Sequence, residues 1–228
     1  MSLEPFYSDE FTTIYCGDSA EVIAELDPST VGVVLTDPPY GISLDTDYSK
    51  INDHLSPRNK QGKQHKLIVG NDELFDPSVF LQWPCVLFGA NCYAARLPET
   101  GTWHVWDKRC DGDSTVLADF EIYWTSFCSG PSRIYRQRWY GFGRKNDDRG
   151  YLHPSQKPVA LMRQIMQEPR FPTGTVLDPF AGSGTTLKVA ADLRIKSIGI
   201  EIDAEYCQIA VDRLAQKSFD LWNSDETE

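Results

Sequence analysis

The stretch Val176-Leu177-Asp178-Pro179-Phe180-Ala181-Gly182-Ser183-Gly184-Thr185-Thr186-Leu187 decides the fold. A short apolar run breaks into a loop of small residues and then into a helical pattern, which predicts strand, tight turn, helix. Two glycines one residue apart let the backbone turn sharply and come close to a ligand, because neither carries a Cβ and both tolerate positive φ. Further on, Ser197-Ile198-Gly199-Ile200-Glu201 closes a second strand on a carboxylate. An acid at that place can accept hydrogen bonds from both hydroxyls of a ribose. The loop therefore reads as a nucleoside-cofactor site.

Missing features narrow the cofactor. A dinucleotide fingerprint wants a third small residue where Leu187 stands, and a phosphate-cradling loop wants a Lys where Thr185 stands. Asp178 is expected at the mouth of the loop, where it would repel a pyrophosphate and welcome a cation. A ligand with a ribose, an ammonium and a sulfonium fits those demands better than NAD or ATP.

Working outward, strands alternate with helices. Thr12–Cys16 is a β-branched and aromatic run that ends at Gly17-Asp18, before the amphipathic Ser19–Leu26. Val31–Thr36 is continuously apolar, as a buried parallel strand should be, and runs into Asp37-Pro38-Pro39-Tyr40. Cys85–Gly89, Thr102–Lys108 and Phe120–Phe127 are expected as strands, and Asn91–Leu97, Pro158–Met166 and Ala204–Gln216 as helices. The expected architecture is an α/β Rossmann-like sheet with ligands at the carboxyl ends of its strands. Asp18, Asp37 and Glu201 should converge there beside Asp178.

The length of 228 residues, 41% of them apolar, suits one domain over 1–228 with a flexible insertion at about 42–74. No apolar run approaches a membrane span and Met1–Thr13 lacks a secretory pattern, so a soluble, cytoplasmic protein is expected. Six scattered cysteines without a Cys-x-x-Cys pair read as reduced thiols, and no metal site is expected.

A net charge of -11 argues against a generic nucleic-acid binder, for which a basic surface is the footprint. The distribution matters more than the sum. Between Ser129 and Lys157 seven basic residues, among them Arg133, Arg136, Arg138, Arg144 and Lys145, face two acids. A second basic stretch carries Lys60 and Lys63. An acidic body with two basic segments is the pattern expected if one face meets phosphates.

Asp37-Pro38-Pro39-Tyr40 is a rigid corner. Both prolines fix their own φ and lack an N–H, so their carbonyls stay available as acceptors. The Asp37 carboxylate and the Pro38 carbonyl then form an acceptor pair beside the Tyr40 ring. That arrangement suits an exocyclic amine on a flat base, two N–H groups to two acceptors.

With both motifs in hand, the chain resembles the β group of amino-methylating DNA methyltransferases, which use S-adenosylmethionine. Asp37-Pro38-Pro39-Tyr40 is similar to the catalytic motif, and Asp178-Pro179-Phe180-Ala181-Gly182-Ser183-Gly184-Thr185 to the cofactor loop. His153-Pro154-Ser155-Gln156-Lys157-Pro158 resembles the motif upstream of that loop. The resemblance implies a circularly permuted, mostly parallel seven-stranded sheet with one antiparallel strand. It also implies that Glu201 holds the ribose hydroxyls and Asp18 the adenine amine. Phe180, Ala181, Gly182, Ser183, Gly184 and Thr185 would pass under the methionine part, whose carboxylate Ser155 and Lys157 would help hold. The target would be a base flipped out of double-stranded DNA, recognised through a short segment at about 129–152. Asp37 at the first motif position favours the N6 amine of adenine over the N4 amine of cytosine. An RNA or protein-amide methyltransferase and a non-catalytic nucleic-acid-binding protein on the same fold are the other readings. Two subunits pairing would be in keeping with so short a recognition segment.

Overall fold

Runs of Val, Ile and Leu bounded by acids, glycines and prolines become the strands of one sheet, and the amphipathic stretches between them cover its faces. The computed structural model describes residues 3–40, 74–109, 118–127, 130–139 and 156–215. Among these the strands are β1 (Tyr7–Ser8), β2 (Thr12–Cys16), β3 (Val31–Thr36), β4 (Cys85–Phe88), β5 (Thr102–Asp107), β6 (Phe120–Thr125), β7 (Ile134–Arg136), β8 (Thr175–Asp178) and β9 (Ser197–Glu201). The helices are α1 (Ser19–Glu25), α2 (Val159–Met166), α3 (Thr185–Asp192) and α4 (Ala204–Leu214). Where a helix is expected over Asn91–Leu97, the chain forms a tighter 3-10 segment, Ala90–Arg96, interrupted at Tyr93.

The sheet order is β1-β2-β9-β8-β3-β4-β6-β5-β7. β2, β9, β8, β3 and β4 run parallel, β6 runs against β4 and β5, and β7 is parallel to β5. The described sheet thus has nine strands rather than the expected seven, and two of them, β1 and β6, oppose the rest. The surplus lies at the edges. β1 and β7 have two and three residues, too short for any periodicity to show in the sequence.

Two connections set the position of the ligand crevice. From β8 the chain passes through α3 to β9 on one side, whereas from β3 it proceeds to β4 on the other. β8 and β3 are neighbours, with Val34 opposite Leu177. The order therefore reverses between them, and a crevice opens outside the carboxyl ends of strands at such a reversal.

Alternation along the strands sorts the core into two faces. Val33, Leu35, Val86 and Phe88 point to the side where Leu161, Met162 and Ile165 of α2 and Val189 and Ala190 of α3 lie. Val34, Leu87, Leu177 and Ile200 point to the other, against Val22 and Ile23 of α1 and the aromatic rings of Phe80 and Trp83. Fully burying one such side chain contributes about 2 kcal/mol, so these two layers hold the strand register. No helix among the described residues is long and apolar enough to cross a membrane.

Candidate active site

Four acids follow one another along the carboxyl edge. Asp18 stands past β2, Glu201 ends β9, Asp178 ends β8 and Asp37 follows β3. Three inter-strand steps separate the first from the last, about 14 Å. The expected convergence is therefore observed as a row, long enough for an extended ligand rather than a point-like one.

The glycine loop is held mainly by backbone hydrogen bonds. Gly182 and Gly184 have φ of +50° and +75°, the left-handed region that favours glycine. A Cβ on Gly184 would also lie 2.6 Å from Ala210 Cβ, so this glycine lets α3 and α4 approach. Ala181 donates to the Ile200 carbonyl at 2.9 Å. The Glu201 carboxylate accepts from Gly182 N–H at 2.8 Å and from Asp203 N–H at 2.9 Å. Burial nonetheless holds its carboxyl above the ordinary range. Arg213 of α4 is almost fully buried and donates to the Ser183 carbonyl at 2.9 Å and to Thr185 Oγ1 at 3.0 Å. Arg213 had no signal in the sequence beyond being a charge on an amphipathic helix.

Asp178 is placed differently from expectation. Its side chain turns into the protein, where Oδ1 accepts from Thr36 Oγ1 at 2.7 Å and from Phe180 N–H at 3.2 Å, and the Thr186 hydroxyl bonds to the same carboxylate. Burial pushes its pKa up to about 6. Asp178 is thus a brace between β3 and the glycine loop, not an exposed anion drawing a cation to the mouth. Asp18 caps α1, its Oδ1 accepting from Ala20 N–H at 2.8 Å, and remains exposed. The Gly17 N–H bonds to the Glu201 carbonyl at 3.0 Å, which keeps Asp18 beside Glu201.

At the other end of the row, the proline corner carries a cluster of buried charges. The Tyr40 hydroxyl donates to Asp37 Oδ1, and the Lys157 ammonium bonds to Asp37 Oδ2. Lys157 Nζ also lies 3.2 Å from Glu121 Oε2, and Glu121 Oε1 takes the Lys108 ammonium. Two carboxylates and two ammoniums balance in charge. Burial drives the Asp37 carboxyl above the ordinary range; the pull of Lys157 opposes this and the Glu121 charge adds to it. For Glu121, burial pushes upward too, but Lys157 and Lys108 outweigh it and hold the carboxyl below the ordinary range. The Tyr40 ring rests on Gly89, where a Cβ would come within 2.0 Å of Tyr40 Cε1. Gly89 has φ of +62° at the end of β4, so backbone rather than side chain floors the corner.

Lys157, expected to help hold a cofactor carboxylate, is instead committed to Asp37 and Glu121. Glu121 and Lys108 escaped the sequence reading. β6 runs antiparallel, so its first residues lie at the same edge as the last residues of β3 and β5. An acid at the start of a strand is a site residue only when that strand is reversed, and no local pattern announces the reversal.

Arg133, just before β7, and Arg136, at its end, are exposed; β7 is parallel to β5, so Arg136 and the following Arg138 stand at the carboxyl edge. Arg136 faces Asp107 at 3.6 Å. Lys60, Lys63, Arg144, Lys145 and Ser155 lie outside the described residues. Among the described residues no cluster of His, Cys, Asp and Glu has the arrangement of a metal site.

Fold and site together define a class: a doubly wound sheet whose crevice joins a glycine loop to a carboxylate beside a proline corner. The family follows. A model described as DNA methylase, covering the N6 and N4 amino methyltransferases, matches residues 99–212, and the chain belongs to that family. Over nearly its whole length the chain is similar to the type II methyltransferase M2.LlaDCHI of Lactococcus lactis subsp. cremoris, with 25% identity over 94% of this chain and 93% of the relative. A shorter match, 50% identical over 62 residues, spans 27% of this chain and 21% of the DNA adenine methyltransferase YhdJ of Escherichia coli strain K12. Among solved structures, the PvuII DNA methyltransferase, cytosine-N4-specific, shares the fold with a TM-score of 0.60 at 15% identity, over 95% of this chain and 91% of that one. The DNA modification methylase TTHA0409 of Thermus thermophilus, complexed with S-adenosyl-L-methionine, shares it with a TM-score of 0.51 at 20% identity, over 90% and 95%.

Proposed function

We propose that this DNA methyltransferase transfers a methyl group from S-adenosylmethionine to the N6 amine of an adenine flipped out of duplex DNA. The observation that carries the reading is the adjacency of β3 and β8. It sets Asp37-Pro38-Pro39-Tyr40 beside the glycine loop, with Thr36 bonded to Asp178 across the two strands. When bound, S-adenosylmethionine supplies an electrophilic methyl on a sulfonium. The residues present fit it: Glu201 and Asp18 toward the ribose and adenine, Phe180 to Thr185 under the methionine part.

The chain's own groups position the nucleophile. A base amine is weakly nucleophilic because its lone pair is delocalised into the ring. Hydrogen bonds from its two N–H groups to the Asp37 carboxylate and the Pro38 carbonyl favour a pyramidal nitrogen whose lone pair is free to attack. Preorganised acceptors and orientation supply most of the acceleration. Tyr40, now bonded to Asp37 and floored by Gly89, offers a face on which an extruded base recovers lost stacking. Afterwards the methylated nitrogen is a strong acid, and its proton passes to the Asp37 carboxylate or to water.

Adenine is favoured over cytosine by the Asp at the first motif position and by the local identity with the adenine methyltransferase YhdJ. Arg133, Arg136 and Arg138 form the described part of the DNA-facing surface. Incubating the purified chain and methyl-labelled S-adenosylmethionine with duplex DNA, RNA and protein, followed by nucleoside analysis, tests the proposal. Label in N6-methyladenine of DNA is the expected result. Label in N4-methylcytosine transfers the reading to the other base, and label confined to RNA or protein overturns it.

A further inference from the structure

We infer that Glu121 is a positioning residue of this reaction: by sharing the Lys157 ammonium with Asp37, it prevents Lys157 from capturing the carboxylate that must receive the amine. The inference rests on the function just proposed for Asp37. It starts from a conflict within the site. Both oxygens of Asp37 are engaged, Oδ1 by the Tyr40 hydroxyl and Oδ2 by Lys157. Tyr40 can be released by exchanging its hydrogen bond for stacking on the base. Lys157 has no such exchange, because it is buried, its side chain 7% exposed, and packed 5.2 Å above the Phe88 ring.

A lone buried Lys–Asp pair would bind tightly to itself, since attraction between unit charges grows several-fold as water is excluded. Asp37 would then be a poor acceptor for a neutral amine. Glu121 changes that balance. Its Oε2 lies 3.2 Å from Lys157 Nζ, and Lys108 balances its other oxygen. Lys157 is thereby held between two carboxylates, close enough to keep Asp37 charged in a buried setting but not bound to it alone. Cutting Lys108 out should draw Lys157 toward Glu121. Cutting Glu121 out should drive Lys157 onto Asp37. The two changes should act on Asp37 in opposite directions, and a positioning role further ties the E121Q shift to a lower kcat at unchanged KM, which a merely structural ion-pair network would not produce.

The titratable groups around Asp37 are Tyr40 on its own corner, Glu121 from β6, Lys157 before α2, Cys92 and Tyr93 from the 3-10 segment and Asp178 from β8. Of these, Glu121 pushes the Asp37 carboxyl up and Lys157 pulls it down. The test is a carbon-13 NMR titration of the Asp37 carboxyl in the full chain, assigned with D37N, in wild type, E121Q, E121D and K108Q. E121Q should lower the midpoint by about one pH unit, K108Q should raise it, and E121D should return most of the way to wild type. In methyl-transfer assays E121Q should lower kcat about tenfold or more, with KM for S-adenosylmethionine unchanged. A midpoint unmoved in both variants, or moved the same way in both, overturns the inference. If E121Q does not fold, the K108Q midpoint decides alone: upward supports, unmoved or downward overturns. The titration needs no turnover, so an inactive wild-type protein would count against the proposed function and not against this arrangement.

Discussion

The two ends of the carboxyl edge are built by different means. Around Glu201, Asp178 and the glycine loop, the ligands of each carboxylate are backbone N–H groups of the adjoining loops and the hydroxyls of Thr36, at the end of β3, and Thr186, in α3. Around Asp37, they are charged side chains delivered from three distant segments, before α2, at the start of β6 and past β5. At the first end the donors to the carboxylates are neutral groups. The second is poised, because each charge there has a competing partner. That division suits a reaction in which one ligand must be held still while a second is accepted, turned over and released.

The largest expected effect isolates the poised end. Asp37→Ala should lower the rate of methyl transfer by about 10³-fold or more while cofactor binding, read by calorimetry, stays nearly intact. Simultaneous loss of both would erase the distinction between the two ends. The next pair compares glycines. Gly184→Ala places a methyl 2.6 Å from Ala210 at a φ of +75°, and should destabilise the fold by about 1–3 kcal/mol in urea and weaken cofactor binding with it. Gly89→Ala forces the Tyr40 ring off its floor, and should lower kcat with cofactor affinity retained. Equal effects of both changes on cofactor affinity would show that the ends are mechanically one unit.

A smaller, pH-dependent effect belongs to Asp178. Its folded pKa of about 6 stands above the ordinary value of 3.8, so the folded state binds the proton more tightly than the unfolded chain. The group therefore costs stability fully above pH 6, and this cost is relieved as pH falls through the window from 6 toward 3.8. The stability difference between wild type and Asp178→Asn, from urea midpoints across that window, should move in favour of wild type as pH drops. A flat difference would mean that the brace does not titrate. The smallest effect is Asp18→Ala, which removes the α1 cap and should cost about 1 kcal/mol, with a raised KM for the cofactor and an unchanged kcat.

The amino-acid sequence alone determined the strands β2, β3 and β9 to the residue, the glycine loop, the proline corner and the family they indicate. Each is a local statement: a run of apolar residues, two glycines that accept positive φ, two prolines that fix a corner. The row of acids was also legible, because residues that end parallel strands share an edge whatever the strand order. Tertiary structure alone decided which of those acids face the crevice and what holds them. It turned Asp178 inward, bonded Lys157 to Asp37, linked Glu121 through Lys157 to the proline corner and set Arg213 on the glycine loop. Those outcomes depend on strand direction, on helices touching across a glycine, and on competition among buried charges for partners, which are energies between residues far apart in the chain and leave no periodic trace along it.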